Sequence, residues 1–174
     1  MREIWRDTAI ATVGLVAAID YVIALRPWYR SWGATPAESG RGLSGDGLIA
    51  EPKAVMTRAI TIHAPPDDVW PEVVELAAAI GGGLARFNPP HALVLYHERA
   101  TGPGCVTRTS RAFVLEEDAL GATRLIVRTR VAFAGGARQA IARHAREPFE
   151  FLAERRRLLE LRRRGAQRLL HLPV

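Results

Sequence analysis

The sequence is poor in sulfur and lysine chemistry. Its single cysteine, Cys105, excludes an internal disulfide and any cysteine-built metal cluster, and fits a reducing compartment. Cys105 stands in GPGC at a turn-to-strand junction with no histidine near it in sequence, so it reads as a structural thiol and not as a nucleophile. Lys53 is the only lysine, which leaves arginine to carry the net charge of +6. No G-x-S-x-G, H-E-x-x-H or paired-cysteine pattern occurs. Gly81, Gly82 and Gly83 are not followed by G-K-[ST] or G-x-G-x-x-G, so they end a helix and do not cradle a phosphate. His63, His91, His97, His144 and His171 are scattered. These absences leave no catalytic residue, no metal ligand set and no cofactor to assign.

What is present is one domain's worth of chain with an appended segment. The longest apolar run is Thr8–Leu25, interrupted by one charge, Asp20. As a helix it covers about 27 Å, against ~30 Å for a hydrocarbon core. Trp5 precedes it, and Trp28, Tyr29 and Trp32 follow, where interfacial aromatics belong. Asp20 counts against a span, at about 2.5–3.5 kcal/mol on insertion scales. Three readings stay open: a membrane span, a helix packed on the domain or a partner, and a cleaved signal peptide. The span is the one carried forward, with the domain on the cytoplasmic side, because Arg26 and Arg30 follow the run. Residues 1–28 are thus the hydrophobic helix, 29–54 an irregular linker broken by Pro and Gly, and 55–170 the domain. Within the linker, Thr35-Pro-Ala-Glu38 has the form of a capping box with Pro at the first helical position. Asp46 in SGDGL reads as a turn aspartate.

The domain opens with Met56–Leu76, MTRAITIHAPPDDVWPEVVEL. It predicts a strand stopped by Pro65 and Pro66, then a helix with Asp67 and Asp68 in its first turn. Val69, Trp70, Val73, Val74 and Leu76 give that helix an apolar stripe. A strand ending in T-x-x-A-P-P-x-x-V-W-P resembles the SRPBCC superfamily, the START-related and polyketide-cyclase-like helix-grip proteins. RPWYRSWGATPAE and LSGDGLI upstream resemble the lead-in of one bacterial subgroup, and the likeness runs from about Arg26 to Arg168. It implies an α+β fold in which an antiparallel sheet wraps a long C-terminal helix. It also implies a cavity between the two that takes a hydrophobic or lipid-like molecule. The chain departs from its relatives after Gly83: a short helix and one or two strands are missing there by comparison.

The residues agree with that architecture independently. His91–Glu98, Val106–Glu117 and Thr123–Phe133 read as strands, with Gly121 free for a left-handed residue in DALGA. With the opening strand this makes at least four. In the last, Leu125, Val127, Thr129, Val131 and Phe133 alternate with Arg124, Ile126, Arg128, Arg130 and Ala132, which predicts one buried and one wet face. From Arg138 to about Leu170 a long helix is expected, with Pro148 as a kink or junction. Its predicted stripe is Ile141, Ala145, Phe149, Leu152 and Leu159. Arg138 to Arg168 holds ten arginines against four glutamates, equal to the charge of the whole chain. Nucleic acid is not expected as a partner, because Glu147, Glu150, Glu154 and Glu160 dilute the field and no aromatics interleave with the arginines.

The candidate ligand-binding residues are Trp70, Leu95, His97, Arg111, Phe113, Val127, Phe149 and Leu152. Arg111 shares parity with Phe113 and Leu115, which points it at the helix, where a guanidinium needs an anion, unless a strand end or a bulge turns it to solvent; both readings stay open. Tyr96 is a weaker candidate. The expected function is a non-catalytic binding module for a small hydrophobic ligand, associated with a membrane through residues 8–25. The alternatives are a structural or interaction protein without ligand, and a cyclase- or dehydrase-type enzyme. The oligomeric state stays open.

Overall fold

The structure, a computed structural model, describes residues 21–102, 105–134 and 137–170. The run Thr8–Leu25 therefore lies mostly outside the described residues. Tyr21–Leu25 forms a π-helical turn that leads into helix α1, Arg26–Arg30. No described helix is long and apolar enough to cross a membrane.

Five antiparallel strands form one sheet in the order β1-β5-β4-β3-β2. They are β1 (Ala54–Ile62), β2 (Gly83–Asn88), β3 (Ala92–Gly102), β4 (Cys105–Glu117) and β5 (Thr123–Phe133). The expected strands are all there, and β2 adds an edge strand that the sequence hides: GLARFN is exposed along its whole length and shows no buried face. Helix α3, Pro66–Ile80, carries the chain from one sheet edge to the other. Pro66 starts it, Asp67 and Asp68 occupy its first turn, and Gly81 with φ of 75° ends it. Helix α4, Ala137–Leu170, runs unbroken through Pro148.

Helices α3 and α4 lie on the concave face of the sheet. There Val69, Val73 and Ala77 of α3 and Leu158 and Leu161 of α4 close on Ile60, Ile62, Leu93, Phe113, Leu115, Leu125 and Val127. Burying each large apolar side chain is worth about 1.5–3 kcal/mol. Close approach of α4 to β1 needs Gly165, where a Cβ would stand 2.5 Å from Cγ2 of Ile62.

The stripe expected on α4 is not the buried one. Glu147, Phe151, Leu158, Leu161 and Gly165 face inward, whereas Ile141 is 69%, Phe149 73% and Leu152 48% exposed. The helix has two opposed apolar stripes, and ion pairs select between them. Glu147 is held by Arg26 at 3.2 Å and Arg30 at 2.7 Å, and Glu154 pairs with Arg58. A hydrophobicity pattern rejects a face that carries two glutamates.

The second correction concerns the other face of the sheet, expected to be wet. Residues 32–50 cross the edge of β1 and lie over it. The Ala59 amide donates to the Trp32 carbonyl at 3.1 Å. Gly33, with φ of +72°, follows where a Cβ would fall 2.1 Å from the Ala59 carbonyl oxygen. The strap then forms α2, Pro36–Gly40, and a 3-10 turn, Asp46–Ile49. The capping box is complete: Glu38 N donates to Thr35 Oγ1 at 3.1 Å and Thr35 N to Glu38 Oε2 at 2.6 Å. Asp46 accepts from Leu43 N at 2.9 Å, the turn role expected of it. It also pairs with Arg128 and Arg130. Under the strap Val94, Ser110, Ala112, Ile126 and Arg128 are buried. A two-residue period cannot separate arginine facing water from arginine facing backbone carbonyls.

Candidate functional site

Across the concave face the side chains change character along the strands. Around Phe113 and Val127 the space is filled, and both are core residues. One step further, the register aligns Leu95, Arg111, Thr129 and Met56 across β3, β4, β5 and β1. Arg111 thus faces the helices, as its parity predicts. Its Nε donates to Thr129 Oγ1 at 3.1 Å. Among the described residues no carboxylate lies within 4 Å of its guanidinium. Burial pushes its pKa down, Glu150 pulls it up and Arg157 pushes it down again. The group is a half-buried cation without a carboxylate in contact with it.

A pocket of about 150 Å³ opens at Arg111, lined also by Ile80, Gly81, Leu95, His97 and Thr109. Three of the sequence candidates, Leu95, His97 and Arg111, therefore meet in one place. His97 is exposed at its rim. Trp70 does not reach it: its ring packs 5.5 Å from that of Phe87 at the core's edge. Phe149 and Leu152 lie on the far side of α4. Tyr96 points to the strap side and donates to Glu98 at 3.2 Å. A larger groove of about 470 Å³ runs between α3 and α4. Leu76, Ala79 and Leu161 line it between Glu72 and Glu75 on one wall and Arg156 and Arg157 on the other. Arg157 lines the groove and acts electrostatically on Arg111, although the two spaces share no lining residue.

Arg58 is the concave residue that sequence reasoning misses. It is 2% exposed and lies on the parity of Met56, Ile60 and Ile62, which is the signal that would have found it. Its Nε donates to the Tyr29 carbonyl at 2.9 Å, and its guanidinium sits 5.1 Å over the Phe151 ring. Burial first, then Arg111, lowers its pKa to about 10. Beside it Glu147 accepts from Tyr29 Oη at 3.0 Å as well as from Arg26 and Arg30. Burial pulls the Glu147 carboxyl up, but the bonds from Arg30 and Arg26 outweigh it and hold the group below the usual range. Burial, reinforced by Tyr21 and Glu147, pushes the Tyr29 phenol up. This network fastens α1 to α4 and leaves Arg111 outside it. Among the described residues no group of three His, Cys, Asp or Glu side chains is placed to hold a metal ion.

No protein-family model and no curated protein sequence matches the chain. Among solved structures it is similar to a protein from Mesorhizobium loti, at 15% identity and a TM-score of 0.45, over 66% of this chain and 98% of that one. It is similar to an aromatase/cyclase from a Streptomyces species at 11% identity and a TM-score of 0.38, over 67% and 95%. A START superfamily protein from Mycobacterium smegmatis shares 16% identity at a TM-score of 0.33, over 65% and 97%. The chain's own topology is five antiparallel strands curled against a long C-terminal helix, the helix-grip arrangement.

Proposed function

We propose that the protein is a binding module for a small amphipathic molecule, with an anionic group on Arg111 and an apolar body over Leu95, Ile80 and the α3–α4 groove. One observation carries the reading: Arg111 is a partly buried guanidinium on the concave face whose one hydrogen bond among the described residues, from Nε, leaves its two terminal nitrogens without an acceptor. A charge-assisted bond to a ligand carboxylate or phosphate is about twice as strong as a neutral one. The enclosed space is small, since Phe113, Leu115 and Val127 fill the core beside it. A compact ligand, or one that lies along the groove, suits it better than a large buried lipid. The chain's departure after Gly83 fits a narrowed interior. The membrane span in Thr8–Leu25 is kept as part of the proposal, supported by its length and flanking aromatics alone.

The test is thermal stabilisation with aromatic acids, fatty acids and isoprenoid phosphates, each beside its neutral alcohol or ester. The acids and phosphates are expected to stabilise, by about 2.7 kcal/mol at a hundred times Kd. Arg111→Met should abolish the effect. Equal stabilisation by the neutral analogues removes the role of Arg111. No stabilisation by any compound favours the structural protein without ligand, the reading that the filled core around Phe113 supports.

A further inference from the structure

The fold sorts the charges of α4 by sign. Glu147 and Glu154 are turned inward to Arg26, Arg30 and Arg58. Glu150 lies toward Arg111, with Arg143 and Arg146 around the same cleft. Glu160 is bound at 3.3 Å by Arg164. The opposite stripe, Ile141, Ala145, Phe149, Leu152 and Arg163, follows helical spacing and holds no acid, and Arg156 flanks it at the edge of the α3–α4 groove, beside Glu160. Of the glutamates that dilute the field in the sequence, Glu147, Glu150 and Glu154 are turned away from this face, and Glu160 at its edge is paired with Arg164. The stripe's large apolar members are open to solvent, at 69%, 73% and 48% for Ile141, Phe149 and Leu152. Alongside, α1 adds Trp28, 56% exposed, whose ring meets that of Phe151 edge-on at 5.5 Å. The chain also enters the domain here, because Tyr21 Oη donates to the His144 carbonyl at 3.1 Å.

We infer that this face of α4, with Trp28, docks on an anionic lipid bilayer surface. An apolar stripe continued by arginine, without acids, is the pattern of a helix lying in the interface plane, where the apolar side chains sink about 5–10 Å and the cations meet headgroups. Charge complementarity selects an anionic leaflet, where each Lys or Arg near the surface contributes about 1 kcal/mol, or fivefold in partitioning. Nucleic acid accounts for Arg156 and Arg163 but not for Ile141, Phe149 and Leu152. The inference does not depend on what Arg111 binds. It is also separate from a span in Thr8–Leu25, which would hold the chain near a bilayer without bringing α4 into it.

The experiment uses the full chain with Cys105→Ala and Leu152→Cys, labelled with an environment-sensitive fluorophore. A second preparation carries the label at Leu120→Cys, on the 93% exposed hairpin tip. Emission is compared, at equal protein bound, on phosphatidylcholine vesicles with and without roughly one-third phosphatidylserine at about 0.15 M salt. The label at 152 should shift to the blue on the anionic vesicles alone, and the label at 120 should not shift. Arg156→Gln with Arg163→Gln should lower the anionic-dependent partitioning about 25-fold, fivefold for each charge. The inference is overturned by an equal shift on neutral vesicles or by no shift at 152. A shift with duplex DNA in place of vesicles reassigns the face to nucleic acid. A shift that grows with protein concentration in the absence of vesicles reassigns it to self-association.

Discussion

The two faces of the sheet hold arginine on different terms. On the strap side Arg128 is 3% exposed. Its Nε donates to Thr57 Oγ1 at 3.0 Å, its Nη1 to the Arg41 carbonyl and Asp46 Oδ2, and its Nη2 to the carbonyls of Glu38 and Ser39. All five donors of the guanidinium are used. Arg124 takes Glu38, Thr61 and the Gly33 carbonyl, and Arg130 takes Ile49, Ala50 and Asp46. On the concave side Arg111 makes one hydrogen bond among the described residues, to Thr129. Equal side chains, desolvated on two faces of one sheet, differ in how far folding satisfies them. Satisfied guanidiniums are fasteners for a segment without a core of its own. Arg111 keeps its two terminal nitrogens for something the chain does not supply, whereas Arg58 on the same face is tied to Tyr29 and Glu154 and buries one nitrogen without a partner.

The sharpest way to break this comparison is to remove Arg128. Arg128→Met takes from Asp46 the closer of its two arginines and leaves three strap carbonyls without their donor, and loss of one partner from a buried ionic network costs about 3–5 kcal/mol. A fall of that size in urea-unfolding free energy is expected, read from the midpoint with the slope unchanged. A loss below about 1 kcal/mol would mean that water replaces Arg128 without penalty, and that the strap needs no fastener.

Acid sharpens the same comparison by a smaller amount. The Arg124 guanidinium holds the Glu38 carboxyl down at about 2, outweighing its burial, with help from the Thr35 amide. A carboxylate with a depressed folded pKa stabilises the fold above its unfolded value, near 4.5, and that contribution is lost as pH falls through the folded value. The window is therefore pH 4.5 down to 2. Solvent screening at this partly exposed pair keeps the effect to about 1 kcal/mol. Comparing the parent with Glu38→Gln isolates it: the difference between them should shrink across that window and be constant above it.

Much of the frame is legible in the sequence because it rests on local signals. Thr123–Phe133 starts and stops where its alternation does, Gly121 takes its positive φ of 78°, and Thr35 with Glu38 caps α2 as the spacing predicts. The position of Arg111 follows from parity with Phe113. What is not legible depends on partners far away in the chain. Arg124, Arg128 and Arg130 read as a wet face because carbonyls of a Gly- and Pro-rich strap leave no residue signature. The inward face of α4 is concealed by Glu147 and Glu154, whose cations come from α1 and β1. The same blindness placed Phe149 and Leu152 in the ligand site, since an apolar stripe does not say whether it meets a core or a surface.

The smallest effect on stability tests the comparison most directly. Arg111→Met removes one charge-assisted hydrogen bond to Thr129, worth about 1.5–3 kcal/mol, and also a half-buried charge without a close counter-ion, whose replacement by an apolar side chain of similar length is often neutral or stabilising. The two terms oppose each other, so unfolding free energy should move by no more than about 1 kcal/mol in either direction. Measured beside Arg128→Met under one set of conditions, it should leave stability in place while ligand stabilisation disappears. If Arg111→Met unfolds the protein as severely as Arg128→Met, Arg111 is a fastener too. The concave face would then lose its distinction, and the anion-binding reading would lose the observation that carries it.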